Sequence, residues 1–397
     1  MLGEASAFTL PPAAPAWLLP YSPDYEGVRV ETTAGDAQAG DYGFPSLFAT
    51  GDGYTLLTES DVDGRYSGAR LTHPAGSAGY AIKLADAAVT GPGPFATPWR
   101  VAITGDLAAV TESTLADDLA RPSELDDTSW VRPGKVAWSW LSEHDSPGDP
   151  LRQKQFADFA ARHGWPYLLV DDIAGHRRAG ADDRLPRRDR PARVPAHLAH
   201  VLSFEADRGA EQLRTRAATN MMFPFTRNVV GSMDYTPTAF VVSDRDTTDA
   251  HEVATFFVYE SGWQHSADKP ENYEARPEAV RTIDELPTVW DETRLLSGRP
   301  GREAVFARRS GDRWFVGGIF AGPATTVRAP LGFLGPGHWV ADTVRDGPSG
   351  LLRETSKVTT DGPLHVPIAA NGGNACNPQR KVNRGGRRSR NAATPSA

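Results

Sequence analysis

The sequence predicts a multidomain α/β plus β protein with an N-terminal β-sandwich, an incomplete (β/α)8 TIM-type barrel and a C-terminal antiparallel β-domain. Short alternating apolar runs bounded by Gly, Asp and Pro occur towards both ends of the chain, and a β-α-β alternation lies between them. The predicted boundaries are 1–125 for a partial sandwich, 126–287 for a partial barrel, 288–371 for the C-terminal domain and 372–397 for a disordered tail.

Composition narrows the classes of partner. The 397 residues carry a net charge of −8, which argues against nucleic acid or an anionic membrane as partner, because either requires clustered Lys and Arg. No apolar run approaches the roughly 20 residues of a membrane span, and the N-terminus lacks the basic region of a signal peptide. The single Cys376 excludes an intrachain disulfide. Ten Trp suit the packing of indoles against sugar rings.

Both terminal parts contain a strong hairpin signal. Residues 46–49 and 54–57 flank Gly51-Asp52-Gly53, and residues 304–307 and 314–320 flank Ser310-Gly311-Asp312. Gly in these turns supplies the positive φ angles that tight hairpins require. The sequence therefore predicts antiparallel sheets from about residue 28 to 120 and again from about residue 288.

The middle of the chain has the pattern of a parallel sheet. A strand at residues 135–140 precedes a helix at 149–163, and the apolar strand at 167–172 ends in Asp171-Asp172. Acidic residues at the carboxyl end of a barrel strand are where such barrels place their chemistry. A further buried strand is predicted at residues 238–242.

Residues 173–199 differ from the rest of the chain. This stretch is rich in Arg, Ala, Asp and Pro and shows no apolar periodicity, so we predict that it is irregular or disordered. A stretch of this composition in the middle of a barrel is typical of translation in a shifted reading frame of a GC-rich gene. We therefore hypothesise a frame shift in the gene.

Three strings contain candidate functional residues. Residues 204–211 place three carboxylates around one Arg, which favours a raised carboxyl pKa and a general acid, or else a solvated helix start. Residues 57–66 form a carboxylate-rich segment that suits Ca²⁺ or is an exposed acidic loop. Residues 223–237 mix aromatics, a cation and an Asp, which suits sugar hydroxyls or a packed connection.

Taken together, these strings resemble glycoside hydrolase family 97, whose members are α-glucosidases and α-galactosidases. The resemblance extends from about Tyr25 to Asp172 and from His200 to about Asn371. The matching strings are Gly40–Pro45, Thr58–Ser60, Thr97–Arg100, Val136–Trp140, Glu205–Glu211 and Arg227–Pro237.

The resemblance implies a role for each matching residue. Glu211 matches the general acid, whereas Glu59 and Glu205 match calcium-binding glutamates. Asp207 stands where the family usually has an uncharged residue. The residues expected to contact substrate are Trp138, Asp172, Arg227 and Asp234.

The resemblance also implies that parts of the family's chain are missing. The second catalytic carboxylate, an Asp nucleophile in retaining members or Glu bases in inverting ones, would fall between Asp172 and His200, where no residue can be matched. A complete barrel takes about 250 residues, more than 126–287 can supply. The first part of the N-terminal domain also has no counterpart.

We therefore expect an α-glycoside hydrolase that cleaves terminal α-linked glucose or galactose in an oligosaccharide or aryl glycoside, with Ca²⁺ support. The alternative is a non-catalytic remnant or carbohydrate-binding fragment, and a third reading is a β-domain adhesion module. The sequence leaves the anomeric outcome open. The family is commonly secreted or periplasmic, although this chain shows no signal peptide.

Overall fold

A computed structural model describes residues 3–62, 68–91, 93, 96–171 and 207–380. The predictions made for Asp172, for residues 173–199 and for Glu205 therefore lie outside the described residues.

The N-terminal part is a sheet of eight strands, as the alternating runs predict. Hydrogen bonding orders the strands β1-β7-β6-β4-β2-β3, while β5 pairs with both β4 and β8. The hairpin at Gly51 is confirmed, because β4 and β5 pair around it and Gly51 has a φ of 61°. The strands are β1 (Ala7–Thr9), β2 (Pro15–Pro20), β3 (Val30–Thr33), β4 (Gly40–Thr50), β5 (Gly53–Ser60), β6 (Ala69–His73), β7 (Gly79–Leu84) and β8 (Trp99–Gly105).

Both faces of this sheet are apolar where β4 and β5 run. Successive side chains of a strand point to opposite faces, so Phe48 packs in a core of the N-terminal part itself, whereas Leu47 and Leu56 join the core of the middle part. Two short helices, α1 (Leu107–Thr111) and α2 (Leu115–Asp118), follow the sheet. The N-terminal sheet is thus fixed directly against the middle of the chain.

The middle part contains the predicted β-α-β unit. Strands β9 and β10 are parallel, and a third parallel strand, β11, lies on the other side of β9. Helix α3 begins where expected, because the Asp149 side chain accepts from the backbone N–H of Leu151 and Arg152 at 2.9 and 3.1 Å. The elements are β9 (Gly134–Trp138), α3 (Pro150–Arg162), β10 (Tyr167–Leu169), α4 (Ala217–Asn220), α5 (Asp249–Val258), β11 (Trp263–Ser266), α6 (Pro270–Glu274) and α7 (Pro277–Glu285). The incomplete barrel itself stays a prediction.

The strand predicted at residues 238–242 is wrong. This segment forms turns, with Phe240 N–H donating to the Thr238 carbonyl at 3.0 Å and Val242 N–H to the Ala239 carbonyl at 3.3 Å. Thr238 has a φ of 63°, which interrupts an extended backbone. The apolar side chains of residues 238–242 are buried in the core of the middle part. The apolar run therefore reports burial rather than sheet pairing.

The C-terminal part is an antiparallel β-domain, and its hairpin at Gly311 is confirmed. Six strands are ordered β12-β13-β14-β19-β16-β17, and β15 pairs with β18 in a second sheet. An apolar core that includes Val316, Val327 and Val366 lies between the two sheets. The strands are β12 (Glu292–Arg299), β13 (Glu303–Ser310), β14 (Arg313–Phe320), β15 (Thr325–Pro330), β16 (Trp339–Gly347), β17 (Gly350–Val358), β18 (Pro363–Ile368) and β19 (Gly373–Arg380).

The prediction of a disordered tail at 372–397 is wrong for residues 373–380, and its remainder, 381–397, lies outside the described residues. Residues 373–380 form β19, which lies inside the six-stranded sheet between β14 and β16. Residues 373–378 are buried on both faces, so polar Asn374 and Asn377 face the interior. Without an alternation of apolar and polar residues, the sequence pattern gives no signal of a strand.

Helix α5 ties the middle part to the C-terminal sheet. The Asp346 carboxylate of β16 accepts from the Thr248 hydroxyl at 2.7 Å and from the Ala250 N–H at 3.2 Å at the start of this helix.

Among the described residues, no helix combines the length and the apolar character needed to cross a membrane.

Candidate active site

Glu211 lies in a turn before α4, not at a helix start. Residues 207–216 form bends and turns, and α4 begins at Ala217. The Glu211 side chain folds back over Gly209, where an added β-carbon would collide with both carboxylate oxygens. Glycine at position 209 therefore lets the Glu211 carboxyl occupy this place.

The carboxyl of Glu211 is held by Thr236. The Thr236 hydroxyl donates to Glu211 Oε2 at 2.5 Å and accepts from the Ala210 N–H at 2.8 Å. Burial raises the pKa of Glu211, with Asp234 and Glu26 adding to the rise, while the Thr236 hydrogen bond opposes it. A raised pKa favours the protonated form that a general acid needs.

A buried ion pair supports the same turn from behind. Arg216 and Glu252 are fully buried, with Arg216 Nε donating to Glu252 Oε1 at 3.0 Å. The other end of the guanidinium donates from Nη1 to the carbonyls of Ala210 at 3.1 Å and Leu213 at 3.2 Å. These two carbonyls lie on either side of Glu211, so the cation fixes the backbone that carries the acid.

A cleft of about 200 Å³ opens beside Glu211. Aromatic and aliphatic walls with one acid and one cation suit a sugar, which presents both apolar faces and hydroxyls. The residues that line this cleft are Trp140, Leu141, His144, Glu211, Arg214, Val241 and Val242.

Trp138, predicted to contact substrate, is buried one layer below the cleft wall. It is 6% exposed and stacks on Trp140 with ring centroids 5.7 Å apart, and Trp140 in turn contacts His144 at 4.3 Å. The exposed ring of this stack, His144, was missed by sequence reasoning. Its position six residues after Trp138 in an irregular segment gives no periodic signal.

Arg227 begins a single-turn 3-10 helix (Arg227–Val230), and Asp234 lies on the segment after it, which also carries Thr236. Arg227 is 1% exposed and donates to the carbonyls of Gly231 and Ser232, both at 3.1 Å. The burial of Arg227 argues against direct contact with a substrate. The predicted contact between Arg227 and substrate stays a prediction. Asp234 is 25% exposed and its carboxylate lies against Nδ1 of His265 on β11.

Asp207 carries a second perturbed carboxyl. Burial raises its pKa to about 8, with Asp234 and Glu211 adding to the rise, while Arg227 and Arg29 oppose it. Neither of its oxygens has a hydrogen-bond partner within the described part of the chain. Asp207 therefore links Glu211, Arg227 and Asp234 into one electrostatic neighbourhood.

The N-terminal part contributes to this neighbourhood through the loop before β3. Arg29 is buried with its guanidinium 5.8 Å from the centre of the Phe223 ring, and Glu26 accepts from the Gln212 side chain at 2.7 Å. Burial, together with the nearby charge of Arg227, lowers the pKa of Arg29 to about 9, while Asp207 opposes the change. Nothing in the local sequence of this loop distinguishes Arg29 from a surface residue.

Glu59, predicted to bind calcium, is held by Arg100. It is 2% exposed and accepts from Arg100 Nη1 at 2.5 Å and from the Ala69 N–H at 3.1 and 3.2 Å. Arg100 also pairs with Glu4 at 2.8 Å. Burial raises the pKa of Glu59 to about 7, against the lowering by Arg100.

The described residues do not by themselves fit a calcium ion at Glu59. Both of its oxygens already accept hydrogen bonds, one of them from a cation, whereas Ca²⁺ requires six to eight oxygen ligands. Among these residues, no group of three or more His, Cys, Asp or Glu side chains is placed to hold a metal ion. Glu205, the second predicted ligand, lies outside the described residues.

Two family models match the ends of the chain. Residues 1–122 match the model described as Glycosyl-hydrolase 97 N-terminal, and residues 289–377 match the model described as Glycosyl-hydrolase 97 C-terminal, oligomerisation. The second match extends into β19.

Similar proteins extend the likeness across the middle. A probable retaining alpha-galactosidase of Streptomyces bingchenggensis is 40% identical over 94% of this chain and 72% of its own length. A retaining alpha-galactosidase of Bacteroides thetaiotaomicron is 27% identical over 70% of this chain and 59% of its own length. A family 97 enzyme of Pseudoalteromonas sp. strain K8, solved with acarbose, has a TM-score of 0.83 at 21% identity, covering 96% of this chain and 81% of that one.

Proposed function

Because the chain belongs to glycoside hydrolase family 97, we propose that it cleaves terminal α-linked galactose with retention of anomeric configuration, with Glu211 as the proton donor. By resemblance to its curated relatives the chain is a glycosidase. The choice of galactose and of retention rests on the names of those relatives. Oligosaccharides are the natural substrate class, since the similar solved enzyme binds acarbose.

The observation that carries the proposal is the position of Glu211. Its carboxyl lines the cleft, and burial raises its pKa, so it keeps a proton to a higher pH than a free carboxyl does. In the reaction, this proton passes to the glycosidic oxygen as the bond to the anomeric carbon breaks.

Retention requires a second carboxyl about 5–5.5 Å from the acid. From the family resemblance, this residue belongs between Asp172 and His200, which lies outside the described residues. The assignment of the acid does not depend on its identity, because protonation of the leaving group is common to both stereochemical routes.

Substitution of Glu211 tests the proposal. With melibiose, whose glucose leaving group must be protonated, we expect Glu211→Gln to lower kcat/KM by about 10²–10⁴-fold, because the amide cannot donate a catalytic proton. A dinitrophenyl galactoside, whose leaving group needs no protonation, should lose far less. NMR of the first sugar released should show the α-anomer.

The matched control is Glu124→Gln, which changes an exposed carboxylate in the same way and should leave turnover unchanged. Equal losses for the two leaving groups in Glu211→Gln would exclude Glu211 as the proton donor. Faster turnover of the α-glucoside than of the α-galactoside would reverse the choice of sugar.

A non-catalytic fragment is the second candidate. The chain spans 72% and 59% of the two curated relatives, and residues 173–199 match no expected catalytic residue. This alternative predicts no turnover of any aryl α-glycoside by the intact chain. Galactose titrated into the chain by calorimetry then distinguishes a sugar-binding fragment from one that does not bind.

Calcium support is a further part of the proposal, carried by the resemblance. We expect a chelator of Ca²⁺ to lower kcat/KM and added Ca²⁺, but not Mg²⁺, to restore it, because Mg²⁺ demands a smaller octahedral site. Full activity in chelator, with no calcium found by elemental analysis, would remove calcium from the proposal.

A further inference from the structure

We propose that Thr236 is a positioning residue that directs the catalytic proton of Glu211 onto Oε1, the oxygen that Thr236 does not contact. The inference rests on the proposed function, because it concerns how the same acid delivers its proton. It assigns to Thr236 a role in the reaction without contact with the substrate.

The hydrogen-bond roles of Thr236 follow from its two partners. A hydroxyl has one hydrogen to donate and two lone pairs. The Ala210 N–H, at 2.8 Å, has no lone pair to offer and must be the donor in that contact. Thr236 is 5% exposed, so its own hydrogen needs an acceptor, and Glu211 Oε2 lies 2.5 Å away.

It follows that Oε2 accepts and does not donate. When Glu211 is protonated, its hydrogen therefore resides on Oε1. The acid cannot easily exchange its two oxygens, because Gly209 lies against both of them and Arg216 holds the carbonyls of Ala210 and Leu213. Thr236 thus selects one oxygen of a carboxyl whose backbone is already fixed.

The same contact favours the proton transfer itself. As the O–H bond of Oε1 breaks, the glycosidic oxygen takes the proton together with the electrons of its bond to the anomeric carbon, and a carboxylate or water adds to that carbon. Glu211 is left as a carboxylate, and the Thr236 hydrogen bond becomes charge-assisted and stronger. Thr236 therefore stabilises the state that follows the transfer.

In addition to the uncharged Thr236, several charged groups act on Glu211. Asp234 and Glu26 raise its pKa, Asp207 shares its electrostatic neighbourhood, and Arg214 lies on the same cleft wall. A substitution of Thr236 leaves all four in place. A shift in the pH profile of that variant therefore reports the lost hydroxyl.

The test compares Thr236→Val, which keeps the shape and removes the hydroxyl, with Thr236→Ser, which keeps the hydroxyl. For melibiose, we expect Thr236→Val to lower kcat/KM by about 10–100-fold, and for a dinitrophenyl galactoside by less than about 3-fold. Its alkaline limb should move to higher pH, because loss of the hydrogen bond raises the pKa of the acid. Thr236→Ser should restore both properties.

Equal losses on the two substrates, or a serine variant as impaired as the valine variant, would overturn the inference. If Thr236→Val does not show the thermal unfolding transition of the parent, Thr236→Ala supplies the same loss of hydroxyl with less steric demand. Failure of the proposed function gives a different result from failure of the Thr236 inference alone. If Glu211 is not the acid, the parent chain and Glu211→Gln should turn over melibiose equally. The inference about Thr236 would then fail together with the proposed function.

Discussion

At the residue scale, the carboxyl of Asp207 differs strongly from an ordinary surface acid. Asp207 is buried, with only 7% of its surface exposed. Burial raises the pKa of its carboxyl from a usual value near 3.8 to about 8. Such a group adds stability while it is protonated in the folded state. That contribution is complete below pH 4 and is lost as the pH rises towards 8.

We therefore expect Asp207→Asn to remove a pH-dependent cost. Above pH 8 the variant should be more stable than the parent by on the order of a few kcal/mol, whereas the difference should shrink towards pH 4. Urea unfolding at pH 5 and pH 8.5 measures this. The exposed Asp361→Asn is the control, and parallel pH curves for parent and Asp207→Asn would contradict the raised pKa.

Glu211 illustrates what residue-level reasoning could supply. Three carboxylates close in sequence predicted a raised pKa, and the structure gives one for both Glu211 and Asp207. The cause is chiefly burial, which spacing in the sequence does not reveal. Thr236, 25 residues away, was not singled out as a partner, because a Thr in a loop usually bonds locally.

At the element scale, α5 controls the turn that carries the acid. Its Glu252 grips Arg216, and Arg216 in turn holds the carbonyls of Ala210 and Leu213. Both charged groups are fully buried, so each depends on the other for compensation. The helix therefore acts on the site without touching the cleft.

Removal of one partner should be costly. We expect Glu252→Gln to lower the free energy of unfolding by about 3–5 kcal/mol, because it leaves the Arg216 charge buried without its counter-charge. The double variant Arg216→Met with Glu252→Leu should regain most of this stability but not the activity, since the carbonyls beside Glu211 lose their donor. Chemical unfolding and kcat/KM measure the two effects.

The exposed pair Arg162–Glu274 provides the control. Both side chains are 56% exposed at 2.9 Å, so Glu274→Gln should change stability by less than about 1 kcal/mol. Recovery of activity in the double variant would show that Arg216 supports the fold but not the acid.

At the scale of the whole molecule, Arg353 joins the C-terminal sheet to the middle part. It lies on β17, and its guanidinium donates to Glu278 and, at 2.8 Å, to Thr282, both on α7. It also donates to Asp342 of the neighbouring strand at 2.9 Å. One side chain, 11% exposed, therefore connects two parts of the chain.

We expect Arg353→Met to lower the free energy of unfolding by about 2–4 kcal/mol, because Asp342 and Thr282 lose a donor in a buried setting. Arg345→Met is the matched control, since Arg345 pairs at 2.7 Å with a Glu354 that is 45% exposed, within the same sheet, and should cost less than about 1 kcal/mol. Equal losses in the two variants by calorimetry would contradict a special role for Arg353.

Interactions between residues close in the chain set the local elements, and these elements could be predicted before folding was considered. Both hairpins, the β-α-β unit and the start of α3 follow from turn residues, apolar periodicity and a capping Asp, which act between residues close in the chain. The resemblance to the family also predicted Glu211 as the general acid and Asp234 as a substrate contact.

Packing of the whole chain produced the remaining features. It placed β19 inside a sheet, put Trp138 beneath Trp140, engaged Glu59 with Arg100 and brought Arg29 towards Asp207. Glu59 and Arg100 lie 41 residues apart in sequence. The positions of β19, Trp138 and Arg29 depend on burial and on packing between whole elements. Desolvation and long-range contacts arise only when the chain is packed, so no local pattern encodes them.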